Sequence, residues 1–148
     1  QPIIGYILNP ETKEFFFAKK NSGAFCNGKK IFVGQKSDIS SAKLGISNSE
    51  IEILKQYNFF NKKNIINIGS IAYKVALVAK GKIDVALSFT KKNDWDLAAS
   101  DLILKEAGGN IKNITGEKIV YNSNLMSINS VIACNNKLIQ QLCVKFNE

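Results

Sequence analysis

The stretch of sequence that decides the predicted fold is Asn93-Asp94-Trp95-Asp96-Leu97-Ala98-Ala99, which continues through an apolar segment to Glu106-Ala107-Gly108-Gly109. The spacing of its apolar residues predicts a helix over residues 96–107, and the paired glycines mark the end of that helix. β-Prone runs on either side predict strands over residues 83–89 and 110–114. The order strand, helix, strand is typical of a layered α/β sheet.

The same alternation extends over the C-terminal part of the chain. Further strands are predicted over residues 43–47, 64–68 and 131–134, and further helices over residues 50–57, 71–80 and 135–146. Gly81 suits the end of the second of these helices, because glycine readily adopts a left-handed conformation there. Residues 37–148 are therefore predicted to form a mixed αβα sandwich.

The N-terminal part has a different pattern. Short β-prone runs are separated by turn signals, and the strongest of these signals is Asn27-Gly28. The runs lie at residues 3–8, 14–18, 23–26 and 30–33. They predict an antiparallel β meander over residues 1–36, which is followed by the αβα domain over residues 37–148.

The composition excludes several classes of protein. Apolar residues make up 45% of the 148 residues and charged residues 22%, which is typical of a globular domain. No run of 18 apolar residues predicts a membrane span. The chain has no histidine, which excludes Ser-His and Cys-His nucleophiles and imidazole metal ligands. Any catalysis must therefore use carboxylates, hydroxyls, lysines, backbone amides or a metal ion held by oxygen.

The three cysteines indicate the redox compartment. Cys26, Cys134 and Cys143 are odd in number, and their spacing fits neither a zinc site nor a CxxC motif. We expect Cys134 and Cys143 to be buried free thiols in a reducing compartment, which predicts a cytoplasmic location. The first residues lack the charged and apolar regions of a secretory signal, so we expect none.

One strand-to-helix junction could bind an anion. Gly69-Ser70 follows a predicted strand and opens a predicted helix, whose first N–H groups have no intrahelical partner. The Ser70 hydroxyl adds a donor, and Lys74 lies one helical turn further on. These groups could together hold a phosphate. The alternative is an ordinary N-cap with a surface lysine.

A second junction could hold a cation. Asp96 lies at the start of the predicted helix over residues 96–107, where it could simply cap the helix. It could equally bind Mg²⁺, which usually takes one or two carboxylates together with water and substrate phosphate. We expect Trp95 to pack beneath this turn, and the small residues Ala98 and Ala99 to allow close packing of the helix.

These residues resemble the inositol monophosphatase family over nearly the whole chain. The segments that resemble the family's C-terminal signature are Trp95-Asp96-Leu97-Ala98-Ala99 and Glu106-Ala107-Gly108-Gly109. Gly69-Ser70, with the helix over residues 75–79, Gly81 and Asp84, resembles its Gly-Ser/Thr segment. The turn and β residues of the first 33 positions resemble the meander that follows the family's metal-binding core.

The resemblance implies a layered sugar-phosphatase fold and a Mg²⁺-dependent, Li⁺-sensitive phosphomonoesterase. It implies that Asp96 binds metal and that Gly69, Ser70 and Ile71 bind substrate. The family's Asp-Pro-Ile/Leu-Asp-Gly-Thr motif and its upstream Glu do not occur in this sequence. We therefore expect a C-terminal portion of a longer phosphatase, without catalytic residues of its own and inactive until joined to its missing N-terminal part.

The sequence alone does not decide which substrate or partners the protein binds. Lys74 falls near a phosphate-contacting lysine of the 3′(2′),5′-bisphosphate nucleotidase branch, but the inositol monophosphatase branch remains the alternative. A small phosphorylated substrate is expected, a homodimer is possible and no membrane partner is expected. A basic nucleic-acid or protein-binding module is the alternative from another class, because the net charge is +8. Nucleic acid is the less favoured partner, because the lysine pairs are scattered over separate turns.

Overall fold

The computed structural model describes residues 1–124 and 127–148. The strands are β1 (Ile4–Asn9), β2 (Glu14–Lys19), β3 (Ala24–Cys26), β4 (Lys29–Ile31), β5 (Leu44–Ile46), β6 (Ile65–Asn67), β7 (Val85–Ser88), β8 (Lys92–Asn93), β9 (Gly109–Lys112), β10 (Ser127–Ile128) and β11 (Val131–Asn135). The α-helices are α1 (Ile51–Leu54), α2 (Ile71–Ala79), α3 (Asp94–Glu106) and α4 (Asn136–Lys145).

The first four strands form the predicted antiparallel meander. They pair in chain order, β1-β2-β3-β4, and every pair is antiparallel. The hairpin between β3 and β4 turns at Asn27 and Gly28, whose φ angles are +49° and +77°. Positive φ at both positions is what a two-residue hairpin turn with the right twist requires.

A mixed five-stranded sheet follows, as the alternation of strands and helices predicts. Its strand order is β6-β5-β7-β11-β9. β5 is parallel to both β6 and β7, whereas β11 is antiparallel to β7 and to β9. The small antiparallel pair of β8 and β10 was not predicted, because two-residue strands carry almost no periodic signal.

Helices α2 and α3 lie between the two sheets. One buried cluster joins Phe16 of the meander, Val75 and Ile103 of the helices, and Val131 of the mixed sheet. The next residue along β11, Ile132, belongs to a second cluster on the opposite face, with α1 and α4. The predicted domain boundary after residue 36 stays a prediction, and the first cluster includes residues from both sides of it.

Two helices differ from their predicted bounds. The helix predicted over residues 50–57 is one α-turn, α1, preceded by a 3₁₀ turn at Asn48–Glu50. Beyond α1 the ring of Tyr57 stacks on Phe89 at 5.6 Å and meets Phe146 edge-on, so tertiary aromatic contacts replace helical ones. Helix α3 begins at Asp94, two residues before its predicted start, because Asn93 is its N-cap.

The predictions about the cysteines and about membrane spans can be compared with the structure. Cys26, Cys134 and Cys143 are free thiols, and Cys134 is buried as expected. Cys143 is only partly buried, because it lies on the half-exposed side of α4, so that part of the prediction is wrong. Within the described residues, none of the helices has the length and apolar character that crossing a bilayer requires.

Close packing of β1 against α3 yields a first prediction. A Cβ added at Gly5 would lie 2.9 Å from the backbone oxygen of Ala99 and 3.1 Å from its Cα, which confirms the expected close packing at Ala99. We expect Gly5→Ala to destabilise the fold by about 1–3 kcal/mol, because a helix backbone must shift. Urea unfolding would measure this. Gly69→Ala is the control, because an added Cβ there meets no atom within 4 Å. Equal stability of the two variants would contradict the prediction.

Candidate active site

The carboxyl ends of parallel strands meet at one edge of the mixed sheet. β5 lies between β6 and β7 and runs parallel to both. The chain leaves β6 to enter α2 and passes from β7 through the short strand β8 into α3, and these two helices pack against each other. In open α/β sheets, ligands bind outside the carboxyl ends of the strands. This strand-end edge, formed by the segments after β5, β6 and β7, is the candidate site.

Gly69 and Ser70 form the turn from β6 into α2. Ser70 is the N-cap of α2, and its Oγ accepts a hydrogen bond from the backbone N–H of Tyr73 at 3.3 Å. Its hydroxyl proton can still be donated to a ligand. Gly69 and Ser70 are exposed, and the space around the Gly69 Cα is open. The turn thus presents backbone and hydroxyl donors at a helix N-terminus, a favourable environment for an anion.

Ile71 can contribute to this turn only through its backbone. Its side chain is buried in the cluster between the two sheets. It is the first residue of α2, so its N–H is one of those that lack an intrahelical acceptor. The predicted substrate role of Gly69, Ser70 and Ile71 remains a prediction that this geometry permits.

Lys74 lies in the interior and away from solvent. Its relative exposure is 0%, and its Nζ donates to the Ser47 Oγ at 3.0 Å and to the Leu87 carbonyl at 3.1 Å. Burial, partly offset by the Glu50 carboxylate, lowers the pKa of Lys74 to about 8. This placement gives no support to a direct contact with phosphate, so the predicted phosphate contact of Lys74 remains without structural support.

Glu50 is a site residue that sequence reasoning did not identify. Its carboxylate is 1% exposed and accepts hydrogen bonds from the residues that follow β7. Burial alone would raise the pKa of Glu50, but hydrogen bonds from Ser88, Thr90 and Phe89 together outweigh it and lower the pKa to about 2. These contacts span 38 to 40 residues of sequence, so no local pattern could have revealed them.

Asp96 lies in the first turn of α3, which follows β7 and β8 along the chain. Its Oδ2 accepts the backbone N–H of Asn93 at 2.9 Å, so Asp96 is the third helical residue and not the N-cap. Its Oδ1 accepts no hydrogen bond from any residue within 1–124 or 127–148, and the side chain is partly exposed. One oxygen therefore caps the helix while the other can bind a ligand.

The donor set around Asp96 fits one metal ligand but not a complete centre. Mg²⁺ commonly takes one or two protein carboxylates, with water and phosphate oxygens filling the other positions. Across the part of the chain that the structure describes, no group of three or more Asp, Glu, Cys or His side chains could hold a metal ion. Asp96 thus suits a hard cation as a single protein ligand.

Trp95 does not pack beneath the turn, and that prediction is wrong. Its side chain is 71% exposed and lines an open cavity with Pro2, Ala98 and Tyr121. Helix α3 starts at Asp94, which places residue 94 rather than residue 95 toward the interior. The capping hydrogen bond between Asp96 and Asn93 holds the turn instead.

Comparison with known proteins confirms the resemblance seen in the sequence. The sequence model of the inositol monophosphatase family matches residues 1–148. Human inositol monophosphatase 1 is 31% identical in an alignment that covers 95% of this chain and 52% of that protein. The fructose-1,6-bisphosphatase of Pyrococcus furiosus is 34% identical, with 93% of this chain and 53% of that protein covered. The chain spans about half the length of the curated relatives it matches.

A solved structure confirms the fold. The crystal structure of a staphylococcal IMPase-II superposes on this chain with a TM-score of 0.85 at 22% identity. The superposition covers 99% of this chain and 57% of the other. The described elements therefore form a large, continuous part of a known mixed α/β fold, as the sequence predicts.

Proposed function

This chain belongs to the inositol monophosphatase family, and from that membership we propose that it forms part of a Mg²⁺-dependent phosphomonoesterase. The observation that carries the proposal is that Asp96 uses only one carboxylate oxygen to cap α3, while the Gly69–Ser70 turn leaves donors free at the start of α2, the helix packed against α3. A cation ligand and an anion site are what metal-assisted phosphate-ester hydrolysis requires. The proposed class is a phosphoric monoester hydrolase.

Each of these residues has a proposed role. Asp96 holds the metal ion through Oδ1, while its Oδ2 keeps the first turn of α3 in place. The backbone N–H groups at the start of α2 and the Ser70 hydroxyl orient the phosphate. When bound, Mg²⁺ supplies charge neutralisation at the phosphoryl oxygens and lowers the pKa of bound water. Li⁺ is proposed as an inhibitor, on the family resemblance.

The proposed substrate is a small phosphorylated polyol or sugar. The relatives described above are named for inositol phosphate and fructose 1,6-bisphosphate. The argument for a 3′(2′),5′-bisphosphate nucleotide depended on Lys74, whose ammonium group is enclosed by Ser47, Leu87 and Glu50. An inositol or sugar phosphate therefore has more support than a bisphosphate nucleotide.

The remaining metal ligands are proposed to come from a segment that covers the outer face of the meander. Ile4, Tyr6 and Leu8 of β1 and Phe15 of β2 are exposed on that face, and the rings of Tyr6 and Phe15 lie 6.3 Å apart. A continuous apolar face of this kind is typical of an interface. A homodimer and a cytoplasmic location also remain proposals.

The test compares the 148 residues alone with an assembled phosphatase, in which they are joined to the proposed N-terminal segment that supplies the remaining metal ligands. We expect the 148 residues alone to release no phosphate from inositol 1-phosphate or fructose 1,6-bisphosphate with Mg²⁺, because Asp96 is their one proposed metal ligand. The assembly should release phosphate in a Mg²⁺-dependent reaction. Release of phosphate by the 148 residues alone would contradict the expected inactivity, and no release by the assembly would overturn the proposed function.

A further inference from the structure

Two opposite charges are buried together below the strand-end edge. The Nζ of Lys74 lies 3.8 Å from Oε2 of Glu50, and both side chains are almost completely enclosed. Removing two charges from water is costly, and an apolar pair of similar volume is often at least as stable. The pair therefore calls for an explanation other than stability, and its hydrogen bonds supply one.

The lysine controls the orientation of one hydroxyl group. An ammonium group can only donate hydrogen bonds, so the Ser47 Oγ must accept the bond from Lys74 at 3.0 Å. The hydroxyl proton of Ser47 is then directed to the chain that leaves β6, where the Gly69 carbonyl lies 3.0 Å away and the Ile68 carbonyl 3.4 Å away. Through Ser47, Lys74 thus restrains the Gly69–Ser70 turn that follows β6.

The carboxylate holds the neighbouring loop. Oε1 of Glu50 accepts hydrogen bonds from the Ser88 hydroxyl at 2.7 Å, the Phe89 N–H at 2.8 Å, and the Thr90 N–H and hydroxyl at 2.9 Å each. An ionised carboxylate is an acceptor only, so each of these four contacts must be donated to it. These bonds fix the 88–90 segment, which comprises the last residue of β7 and the two residues after it.

One buried pair therefore connects two loops of the strand-end edge. We propose that Glu50 and Lys74 are positioning residues, which fix the Gly69–Ser70 turn relative to the 88–90 segment so that the turn presents its donors to a phosphate ester. The inference rests on the proposed phosphatase function for its effect on substrate. Its structural part, the coupling of the two loops, does not depend on that function.

The first experiment breaks the connection at its accessible end. Ser47→Ala removes the hydroxyl between Lys74 and the Gly69 carbonyl, whereas Ser47→Thr retains a hydroxyl. In the assembled phosphatase, with inositol 1-phosphate as probe, we expect Ser47→Ala to raise KM about tenfold, with kcat changed less than about twofold. Ser47→Thr should restore KM, and Glu52→Gln should leave it unchanged, because Glu52 pairs with Lys55 on the exposed surface.

The second experiment needs no enzymatic activity and is done on the 148-residue chain. Glu50→Gln removes the charge that faces Lys74, and we expect amide hydrogen exchange to accelerate about tenfold at Phe89 and Thr90 and also across Gly69–Ser70. Glu52→Gln should change neither segment. Acceleration confined to residues 89–90 would overturn the coupling, as would an unchanged KM in Ser47→Ala. An assembly without phosphatase activity would overturn only the proposed function, because the exchange result stands separately.

Discussion

Replacing Asp96 with asparagine should lower the rate of phosphate release by the assembled phosphatase at least about 100-fold. Mutation of residues that only hydrogen-bond to a metal ligand already lowers metal affinity or activity by up to about 100-fold, and a direct ligand should cost at least as much. Asparagine keeps a side-chain oxygen that can accept the hydrogen bond from the Asn93 N–H, so helix α3 should stay folded. It removes the negative charge that a hard cation requires. The loss should therefore appear in activity and in Mg²⁺ affinity, while the unfolding midpoint changes little.

Asp38→Asn is the matched control for this experiment. Asp38 is exposed and caps a 3₁₀ turn by accepting the Ser40 N–H at 3.1 Å, so the same substitution is made at another cap far along the chain. Activity should be unchanged in this variant. Full activity of Asp96→Asn at a low Mg²⁺ concentration would show that Asp96 only caps α3, which is the alternative that the sequence leaves open.

Much of the fold could be predicted because its signals are local. The turn at Asn27-Gly28 adopts the left-handed conformations that these residues tolerate, and Gly81 follows α2 with φ of +70°. The strands of the mixed sheet and helices α2 and α4 lie within two residues of their predicted bounds. Each of these features depends on residues close in sequence, where periodicity and turn chemistry act together.

The site could be predicted only in part, because its chemistry depends on contacts between distant segments. Asp96 and the Gly69–Ser70 turn stand at strand-to-helix junctions, which a sequence pattern can locate. Whether Lys74 faces solvent or the interior depends on Ser47 and Glu50, which are 27 and 24 residues away along the chain. Helical spacing placed Lys74 on the same face as Ser70, but it could not show that this face is covered by the sheet.

The buried Glu50 carboxylate should also make the fold sensitive to acid. Its pKa is lowered to about 2 in the folded chain, because the hydrogen bonds from Ser88, Thr90 and Phe89 outweigh the opposing effect of burial. In the unfolded chain it should titrate near 4.3. The ionised form is therefore favoured by folding, and its contribution is complete above the unfolded pKa and is lost as the pH falls toward 2. Lys74 does not contribute in this range, since its pKa of about 8 keeps it charged throughout.

We therefore expect the free energy of unfolding of the wild-type chain to fall by up to about 3 kcal/mol more than that of Glu50→Gln between pH 5 and pH 2, at roughly 1.4 kcal/mol for each unit of pKa difference. Urea unfolding at a series of pH values would measure the two curves. Glu50→Gln should be the less stable protein at pH 6, and the two stabilities should converge in acid because glutamine does not titrate. Glu52→Gln should follow the wild-type curve, since that side chain is exposed. Parallel curves for the wild type and Glu50→Gln would show that the hydrogen bonds at Oε1 do not depend on the charge of Glu50. The positioning role of Glu50 would then be due to the shape of its side chain alone.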